Sequence, residues 1–415
     1  MEKMLRKYAE LIVNTGIDVK EGDTLILNTP VECVELARQV VECAYQKGAS
    51  DVVVRWSDDF VQRCKYKYAP EEMLDIIPKW FVESSETYIE KGASVLAIIA
   101  PNPEAFADVD PARVARAVRA KIAATAKESQ RLMGHKNPWC GFSAPTKAWA
   151  KKVYPELSEA DAINELWEDI FKVMRLDQED SIKAWKTHTD EMAVATEFLN
   201  SHKFKELRFE NSLGTDLHVG LPEKHVWTNA LVKNADGKSY IINMPSEEVL
   251  SSPEKTGVNG VVYSSMPLVY DGKIIDHFAM TFENGKVTDF SAEKGYDVLK
   301  SLLETDEGSS YLGEVALVSK DSPVAKTGAL YYNTLYDENA ACHLAVGRAY
   351  ANNIKGGVEM SQEELTEAGA NYSSIHVDFM IGTADMKVTG ITREGDEVPV
   401  FIDGTWSFDL DVKSE

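Results

Sequence analysis

Residues 24–56, TLILNTPVECVELARQVVECAYQKGASDVVVRW, contain two apolar runs separated by an amphipathic stretch. The runs 24–28 and 51–56 are short and nearly continuous in apolar side chains, as in strands that are covered on both faces. The stretch 31–47 between them has the apolar spacing of a helix, at Val34, Ala37, Val40, Val41 and Ala44. This strand–helix–strand order predicts a parallel β-sheet covered by helices.

The same alternation continues on both sides of this segment. A helix is predicted over 2–14, and a second helical stretch over 71–91 leads through Gly92 to a strand at 94–100. No GxGxxG or GxxxxGK[ST] motif follows any of these strands, so the sequence offers no phosphate-binding loop. We therefore predict that this part of the chain is a scaffold.

The character of the chain changes near residue 200. Residues 110–200 are mostly helical, with an apolar interlude at 138–145. Strand-like runs then follow one another, among them LRFEN, TDLHVGL, YIINMP, GVVYSS, IIDHFAMTFENGKV and YLGEVALVS. We predict an α/β plus α+β protein with an N-terminal parallel-sheet α/β scaffold domain and helical extension over 1–200. A strand-rich, metal-binding catalytic domain is predicted over 201–415.

The amino-acid composition argues against several classes of binding partner and of cellular location. The formal net charge of −23 argues against nucleic acid or an anionic membrane surface, because both are bound through clustered Lys and Arg. No stretch approaches the roughly 20 apolar residues that span a bilayer. The five cysteines are scattered and contain no CxxC pair, which favours a reducing cytoplasm over a disulfide framework.

Residues 374–380, SIHVDFM, alternate polar and apolar side chains. Residues two apart on a strand share a face, so His376 and Asp378 point the same way and their apolar neighbours point the other way. A His-x-Asp pair on one strand face is a candidate metal-ligand pair. The alternative is a solvent-facing strand edge.

Glu314 lies in 311–318, YLGEVALV, where both faces of the predicted strand are apolar. A buried carboxylate needs a metal, another cation or a proton, because isolated burial of its charge costs several kcal/mol. The alternative to a metal ligand is a salt bridge to a neighbouring Lys or Arg. Gly313 leaves room for another backbone or a ligand to approach.

The segment 336–350, YDENAACHLAVGRAY, is predicted to be a helix, because the acidic pair at its start suits the positive end of the helix dipole. On that helix His343 and Tyr350 share a polar face with Asn339. His343 is therefore a candidate ligand and Tyr350 a candidate neighbour of the metal.

Residues 243–253, NMPSEEVLSSP, form a proline-bracketed turn at a strand end, where binding residues are common. Chemistry alone does not rank Glu247 against Glu248 as a ligand. The remaining histidines have no HExxH or comparable spacing and are predicted to be structural: His135, His188, His202, His218, His225 and His277.

The candidate ligands combine three carboxylates with two imidazoles. Such a set suits zinc, manganese or cobalt, and it contains enough carboxylates to bridge two ions. The natural prediction is a hydrolase that activates water on a two-metal centre.

Several ordered motifs resemble the aminopeptidase T / aminopeptidase S family of two-metal metallo-aminopeptidases. They are NMPSEEVLSSP at 243–253, LGEVAL at 312–317, DENAACHLAVGRAY at 337–350 and HVDFMIG at 376–382. VPVFIDGTW at 398–406 resembles the closing hairpin of that family. The similarity extends over the whole chain.

The resemblance implies roles for individual residues. The glutamate directly before the valine of the first motif is a ligand in the family, which favours Glu248. Many relatives have glycine where this chain has Glu247. The implied site residues are the metal ligands Glu248, Glu314, His343, His376 and Asp378, with Tyr350 beside the metals. The resemblance also implies a homodimer whose active site opens into an enclosed cavity, and peptide substrates with a free N-terminus.

In the mechanism that we expect from these residues, two divalent ions (Zn, Co or Mn) hold a water or hydroxide that attacks the N-terminal peptide bond. Glu314 would bridge the ions, and either Glu247 or Glu314 would carry the proton to the leaving amine. Tyr350 would bind a metal or donate a hydrogen bond to the tetrahedral oxyanion.

Two other functions fit the same residues. One is a different metal-dependent amidase or hydrolase, such as a phosphoesterase, although only Arg348 lies among the ligand motifs to contact a phosphoryl group. The other is a non-catalytic module that uses a closed, four-ligand metal site for structure.

Overall fold

A computed structural model describes residues 1–102, 104–234, 236–270 and 272–411. Thirteen α-helices are assigned in these residues: α1 Glu2–Leu11, α2 Val34–Gln46, α3 Asp59–Tyr68, α4 Lys79–Ile89, α5 Pro111–Ala124, α6 Ala126–Met133, α7 Lys147–Val153, α8 Glu159–Val173, α9 Ser181–His202, α10 Tyr296–Leu303, α11 Pro323–Thr327, α12 Thr334–Asp337 and α13 Gln362–Glu367.

The strands assigned in the same residues are β1 Thr24–Pro30, β2 Asp51–Ser57, β3 Ser94–Ile99, β4 Trp139–Ser143, β5 Glu206–Glu210, β6 Asp216–Gly220, β7 Thr228–Asn229, β8 Leu231–Lys233, β9 Ser239–Ile241, β10 Asn243–Met244, β11 Glu248–Ser251, β12 Val258–Tyr263, β13 Leu268–Tyr270, β14 Lys273–Glu283, β15 Lys286–Lys294, β16 Leu312–Val318, β17 His343–Gly347, β18 His376–Met380, β19 Lys387–Ile391, β20 Glu397–Ile402 and β21 Thr405–Trp406.

The chain divides into two compact units. The first contains Met1–Lys186 and Leu231–Pro245, and the second contains Thr187–Ala230 and Ser246–Glu415. The predicted domain limits, 1–200 and 201–415, stay a prediction.

The first unit is built on a five-stranded sheet in the order β10-β4-β3-β1-β2. All four pairings between neighbouring strands are parallel. The sheet confirms the predicted α/β architecture, and aliphatic side chains fill much of its buried centre, among them Leu25, Ile26, Leu27 and Leu96. The apolar interlude at 138–145 supplies β4, which pairs with β3.

The predicted helical stretch 71–91 is divided in the structure. A short 3-10 helix, Glu71–Leu74, is followed by α4, which begins at Lys79 directly after Pro78. Proline lacks the backbone N–H that a helix interior needs, so the helix begins after it.

The second unit contains two antiparallel sheets. A nine-stranded sheet has the order β13-β14-β12-β6-β5-β19-β20-β21, with β15 on β14, and a five-stranded sheet has the order β18-β17-β16-β11-β7. One apolar core joins them, with Phe209, Phe278, Leu317 and Phe379 among its buried members. The predicted strand-rich α+β half is confirmed. One predicted run, YIINMP, instead supplies β9 and β10 of the first unit.

The helix predicted over 336–350 is wrong. The helix α12 ends at Asp337, a 3-10 turn covers Glu338–Ala340, and β17 begins at His343. Every residue of β17 is buried, because the strand pairs with β16 on one side and β18 on the other. A central strand buried on both faces has no two-residue alternation, so its apolar run resembles that of a buried helix.

Among the helices of the described residues, none combines the length and the apolar character needed to cross a membrane.

Candidate metal centre

The five ligands predicted from the sequence lie on four neighbouring strands of the five-stranded sheet. Glu248 begins β11, Glu314 lies in β16, His343 begins β17, and β18 carries both His376 and Asp378. The proline-bracketed turn before Glu248 contains a cis peptide bond between Met244 and Pro245.

The strand register places these ligands on one face of the sheet. Glu314 is opposite Ala345, which is opposite Asp378 on the next strand. His343 lies two residues before Ala345 and is opposite Ala316. Directly opposed residues share a face, as do residues two apart on one strand. Small alanine side chains therefore stand between the ligands and leave them room to converge.

Glu248 and His376 complete the same face. Glu248 is opposite Val318, two residues along β16 from Ala316, and His376 is opposite Gly347 on β17. Gly347 has a φ of 108°, a backbone conformation that favours glycine, and a Cβ there would lie 2.2 Å from the carbonyl oxygen of Ile375. Glycine at this position thus permits the pairing that presents His376.

His343 contacts two of the carboxylates. Its Nε2 atom lies 3.1 Å from Glu248 Oε2 and 3.3 Å from Glu314 Oε1. His343 is only 1% exposed and Glu314 only 4%. These three groups form one triad whose donor atoms all lie within 4.8 Å of one another.

A second triad contains the other oxygen of Glu314. His376 Nε2 lies 3.5 Å from Glu314 Oε2 and 3.3 Å from Asp378 Oδ1. The donor atoms of this triad also lie within 4.8 Å of one another. Glu314 therefore belongs to both triads and directs a different oxygen to each.

The donor set fits divalent metal ions. His343 Nε2 and Asp378 Oδ1 are buried and have no hydrogen-bond partner among the described residues, although charged groups lie close to both. Nδ1 of His343 is 3.1 Å from the Ala341 carbonyl oxygen, and Nδ1 of His376 is 2.7 Å from that of Arg348. A carbonyl only accepts, so each Nδ1 carries a hydrogen and each Nε2 is left to bind a metal.

The electrostatics of the cluster also favour bound cations. Burial alone would lower the pKa of both imidazoles. Contacts with Glu248 and Glu314 nevertheless raise the pKa of His343 well above its usual value, and Asp378 and Glu314 raise that of His376 to about 9. The pKa of Glu314 is raised by burial. The cluster thus attracts positive charge, which protons or metal ions can supply.

Tyr350 lies beside the second triad, although not by the helical spacing that the sequence suggested. It follows β17 and precedes a 3-10 turn, Ala351–Asn353, and its ring centroid is 4.7 Å from that of His376. The residue is 38% exposed. Burial of the hydroxyl and the charges of Glu314 and Asp378 raise its pKa, so the hydroxyl stays a hydrogen-bond donor at neutral pH.

Glu338 is a further acidic residue near the ligands that the sequence did not identify as part of the site. It lies in the 3-10 turn before β17, and burial raises its pKa well above the usual value, with further contributions from Glu248 and Asp378. In the sequence it was half of an acidic pair assigned to a helix start. Only the fold brings it near the ligands.

Glu247 is not a member of either triad. Its side chain is buried, and its Oε2 atom lies 3.7 Å from Nε2 of His188. The two adjacent glutamates thus have different neighbours, Glu248 facing His343 and Glu247 facing His188.

The sequence and the fold of this chain are both similar to those of known proteins. The model of a family described as thermophilic metalloprotease (M29) matches residues 1–406. Aminopeptidase 2 of Geobacillus stearothermophilus is 44% identical over 409 residues, covering 99% of each chain. Aminopeptidase AmpS of Bacillus subtilis (strain 168) is 44% identical over 404 residues, covering 97% of this chain and 98% of AmpS. The solved structure of wild-type AmpT from Thermus thermophilus has a TM-score of 0.91 at 37% identity, covering 98% of this chain and 99% of AmpT.

Proposed function

The chain belongs to the thermophilic metalloprotease (M29) family, and we propose that it is an aminopeptidase that removes N-terminal residues from peptides with water activated on two divalent metal ions. Membership of the family implies dependence on a divalent metal. The number of ions, their identity and the residues that hold them are our proposal.

One observation carries the two-metal proposal: Glu314 directs its two carboxylate oxygens to two different triads. One ion would be held by Glu248, Glu314 and His343. The other would be held by Glu314, His376 and Asp378. A carboxylate shared in this way is suited to bridge two ions.

Such a pair of ions, when bound, lowers the pKa of a coordinated water and polarises the scissile carbonyl. The surrounding residues orient the ligands and leave room for the ions. The Nδ1 hydrogen bonds of both histidines fix their ring orientations, and the neighbouring Ala316 and Ala345 leave space above the sheet. Zinc, cobalt and manganese all suit these ligands.

Tyr350 and Glu314 are the residues to which we assign direct roles in catalysis. The Tyr350 hydroxyl would donate a hydrogen bond to the oxyanion that forms at the substrate carbonyl. Glu314 would bridge the ions with both of its oxygens, so it would position the activated water instead of carrying a proton, and Glu247, which faces His188, lies outside both triads. Glu338 would add negative charge beside the ions.

The test begins with purified protein stripped by EDTA and reloaded separately with Zn²⁺, Co²⁺ or Mn²⁺. Each form is offered an aminoacyl-nitroanilide, its N-acetylated analogue and nitrophenyl phosphate. We expect a reloaded form to cleave only the free-amine substrate. Equal cleavage of the acetylated analogue would indicate a general amidase, and cleavage of the phosphate ester a phosphoesterase. Metal binding without any cleavage would indicate a structural metal site.

The same assay tests the assignment of ligands. A Glu314→Ala, His343→Ala double variant should bind less metal and lose activity, while circular dichroism reports whether it remains folded. Full activity of the folded double variant would refute the site.

We also propose a homodimer that works in the cytoplasm. The homodimer rests on the family resemblance, and light scattering coupled to size exclusion tests it. The cytoplasmic location is supported by the five cysteines, all of which are free thiols. Fractionation of the source cells, with the protein recovered outside the cytoplasmic fraction, would contradict the location.

A further inference from the structure

The peptide group between Ser246 and Glu247, immediately before the ligand Glu248, is held at both of its polar atoms. Nε2 of His188 lies 2.7 Å from the Ser246 carbonyl oxygen. The N–H of Glu247 donates to Oδ1 of Asn339 at 2.6 Å. The carbonyl and the N–H belong to one planar unit, so two side chains from distant parts of the sequence fix a single peptide plane.

Asn339 is itself held in place. The residue is 1% exposed, and its Nδ2 donates to the Leu335 carbonyl oxygen at 2.9 Å. The hydroxyl of Ser322 donates to the Asn339 carbonyl oxygen at 2.8 Å. Because these bonds use its backbone and the donor end of its side chain, Oδ1 has a fixed direction toward Glu247.

His188, which lies in helix α9, holds the carbonyl side of the same peptide group. The residue is 6% exposed. A carbonyl oxygen can only accept, so Nε2 of His188 carries the hydrogen that the Ser246 carbonyl receives. Oε2 of Glu247 lies 3.7 Å from the same nitrogen.

We propose that His188 and Asn339 are positioning residues that clamp the Ser246–Glu247 peptide and so aim the Glu248 carboxylate at the metal site. This inference rests on the proposed function. Rotation of a peptide plane turns the residues on both of its sides, and Glu248 is separated from this plane by one α-carbon. In metal sites, residues that orient the metal ligands commonly control the affinity for the metal.

Asn339 also connects two parts of the site. It lies next to Glu338 in the 3-10 turn, so its bond to Glu247 joins the segment that carries Glu338 to the segment that carries Glu248. Loss of the clamp should therefore disturb the first triad, which contains Glu248, more than the second.

The experiment compares clamp variants with a matched control in the full-length protein. Asn339→Leu removes the acceptor at similar size, and His188→Leu removes the donor. His188→Gln restores a donor of similar reach. Asn200→Leu is the control, because Asn200 makes the same two kinds of bond, with the backbone of Trp227. Zn²⁺ affinity by competition with a chromophoric chelator, kcat and KM separately, and thermal unfolding of the metal-free protein are measured for each.

We expect Asn339→Leu and His188→Leu to bind one of the two Zn²⁺ equivalents roughly 10–100-fold less tightly, with kcat reduced and KM changed less. His188→Gln should recover most of the loss. Asn200→Leu should lower the unfolding temperature while its Zn²⁺ affinity stays at the wild-type value.

Three results would overturn the clamp: wild-type Zn²⁺ affinity in both leucine variants, no recovery in His188→Gln, or the same affinity loss in Asn200→Leu. If Asn339→Leu does not fold, Asn339→Ala, which also removes the acceptor, replaces it and should show the same roughly 10–100-fold loss of affinity. Failure of the wild-type protein to bind Zn²⁺ would refute the proposed function instead, so the two failures are distinguishable.

Discussion

The two five-stranded sheets of this protein differ in what they bury. The parallel sheet β10-β4-β3-β1-β2 buries aliphatic side chains at its centre, as at Ile26 and Leu96. The antiparallel sheet β18-β17-β16-β11-β7 buries Glu314 and His343 on one face. The first gains stability from each side chain that it covers, whereas the second contains charges whose burial is costly unless they are compensated. The parallel sheet thus contributes mainly stability, whereas the antiparallel sheet has a face that is suited to hold ions.

The largest effect expected from this contrast is on activity, at Glu314. Glu314→Gln keeps the size of the side chain and removes the shared charge, so kcat/KM should fall on the order of 10⁴-fold, as for residues that act as one catalytic unit. The metal-free variant should also unfold at a lower temperature, because His343 and His376 lose a buried partner of opposite charge. Activity within about tenfold of the wild type in the folded variant would contradict the contrast.

A matched change in the parallel sheet should lower stability and leave the activity of the folded protein unchanged. Ile26 is fully buried, and Ile26→Ala should lower the free energy of unfolding by about 2–5 kcal/mol through lost burial and a residual cavity. Chemical denaturation measures this loss. The folded fraction should keep the wild-type kcat and Zn²⁺ affinity. Altered metal affinity in the folded variant would show that the two sheets are not separable in function.

A smaller effect is expected at Tyr350, beside the ligands. Tyr350→Phe removes the hydroxyl and keeps the ring against His376, so kcat should fall roughly 10²–10³-fold with Zn²⁺ affinity unchanged. Steady-state kinetics and chelator competition measure the two quantities. If Zn²⁺ affinity fell together with kcat, the hydroxyl would be a metal ligand and not a hydrogen-bond donor to the oxyanion.

The smallest effect is a dependence on pH that only the antiparallel sheet should have. The pKa of His376 is raised from 6.5 to about 9 by Asp378 and Glu314, against the effect of burial. The stability that this gives the metal-free protein is present below pH 6.5 and is lost as pH rises through 9.

A metal ion at His376 must displace that proton. Affinity should therefore rise by about tenfold per pH unit up to pH 9 and then level off. Titration calorimetry in buffers of different ionisation enthalpy counts the protons released. Release of no protons at pH 7 would contradict the protonated state of the cluster. The variant His376→Gln is the control, and it should release fewer protons.

The sequence predicted β1, β2 and β3 of the parallel sheet well because each of them is a local apolar run next to a helix. It also predicted the shared face of His376 and Asp378, which depends only on the two-residue repeat of a strand. Both features are contained in a few adjacent residues. They do not require knowledge of distant partners.

The remaining features depend on pairing between distant segments. The strand β17 was predicted to be a helix because burial between β16 and β18 removes the alternation that identifies a strand. His188 was predicted to be structural, since nothing near it in sequence indicates that α9 brings it to the Ser246 carbonyl oxygen. Glu338 was missed for the same reason.

The central claim, that the antiparallel sheet holds two catalytic ions, is tested most directly by a metal titration. The EDTA-stripped protein receives Zn²⁺ in steps, and bound metal per chain is measured by elemental analysis alongside aminoacyl-nitroanilide cleavage. We expect activity to reach its maximum at two bound ions per chain. Full activity at a single bound ion, or activity that persists in the metal-free protein, would contradict it.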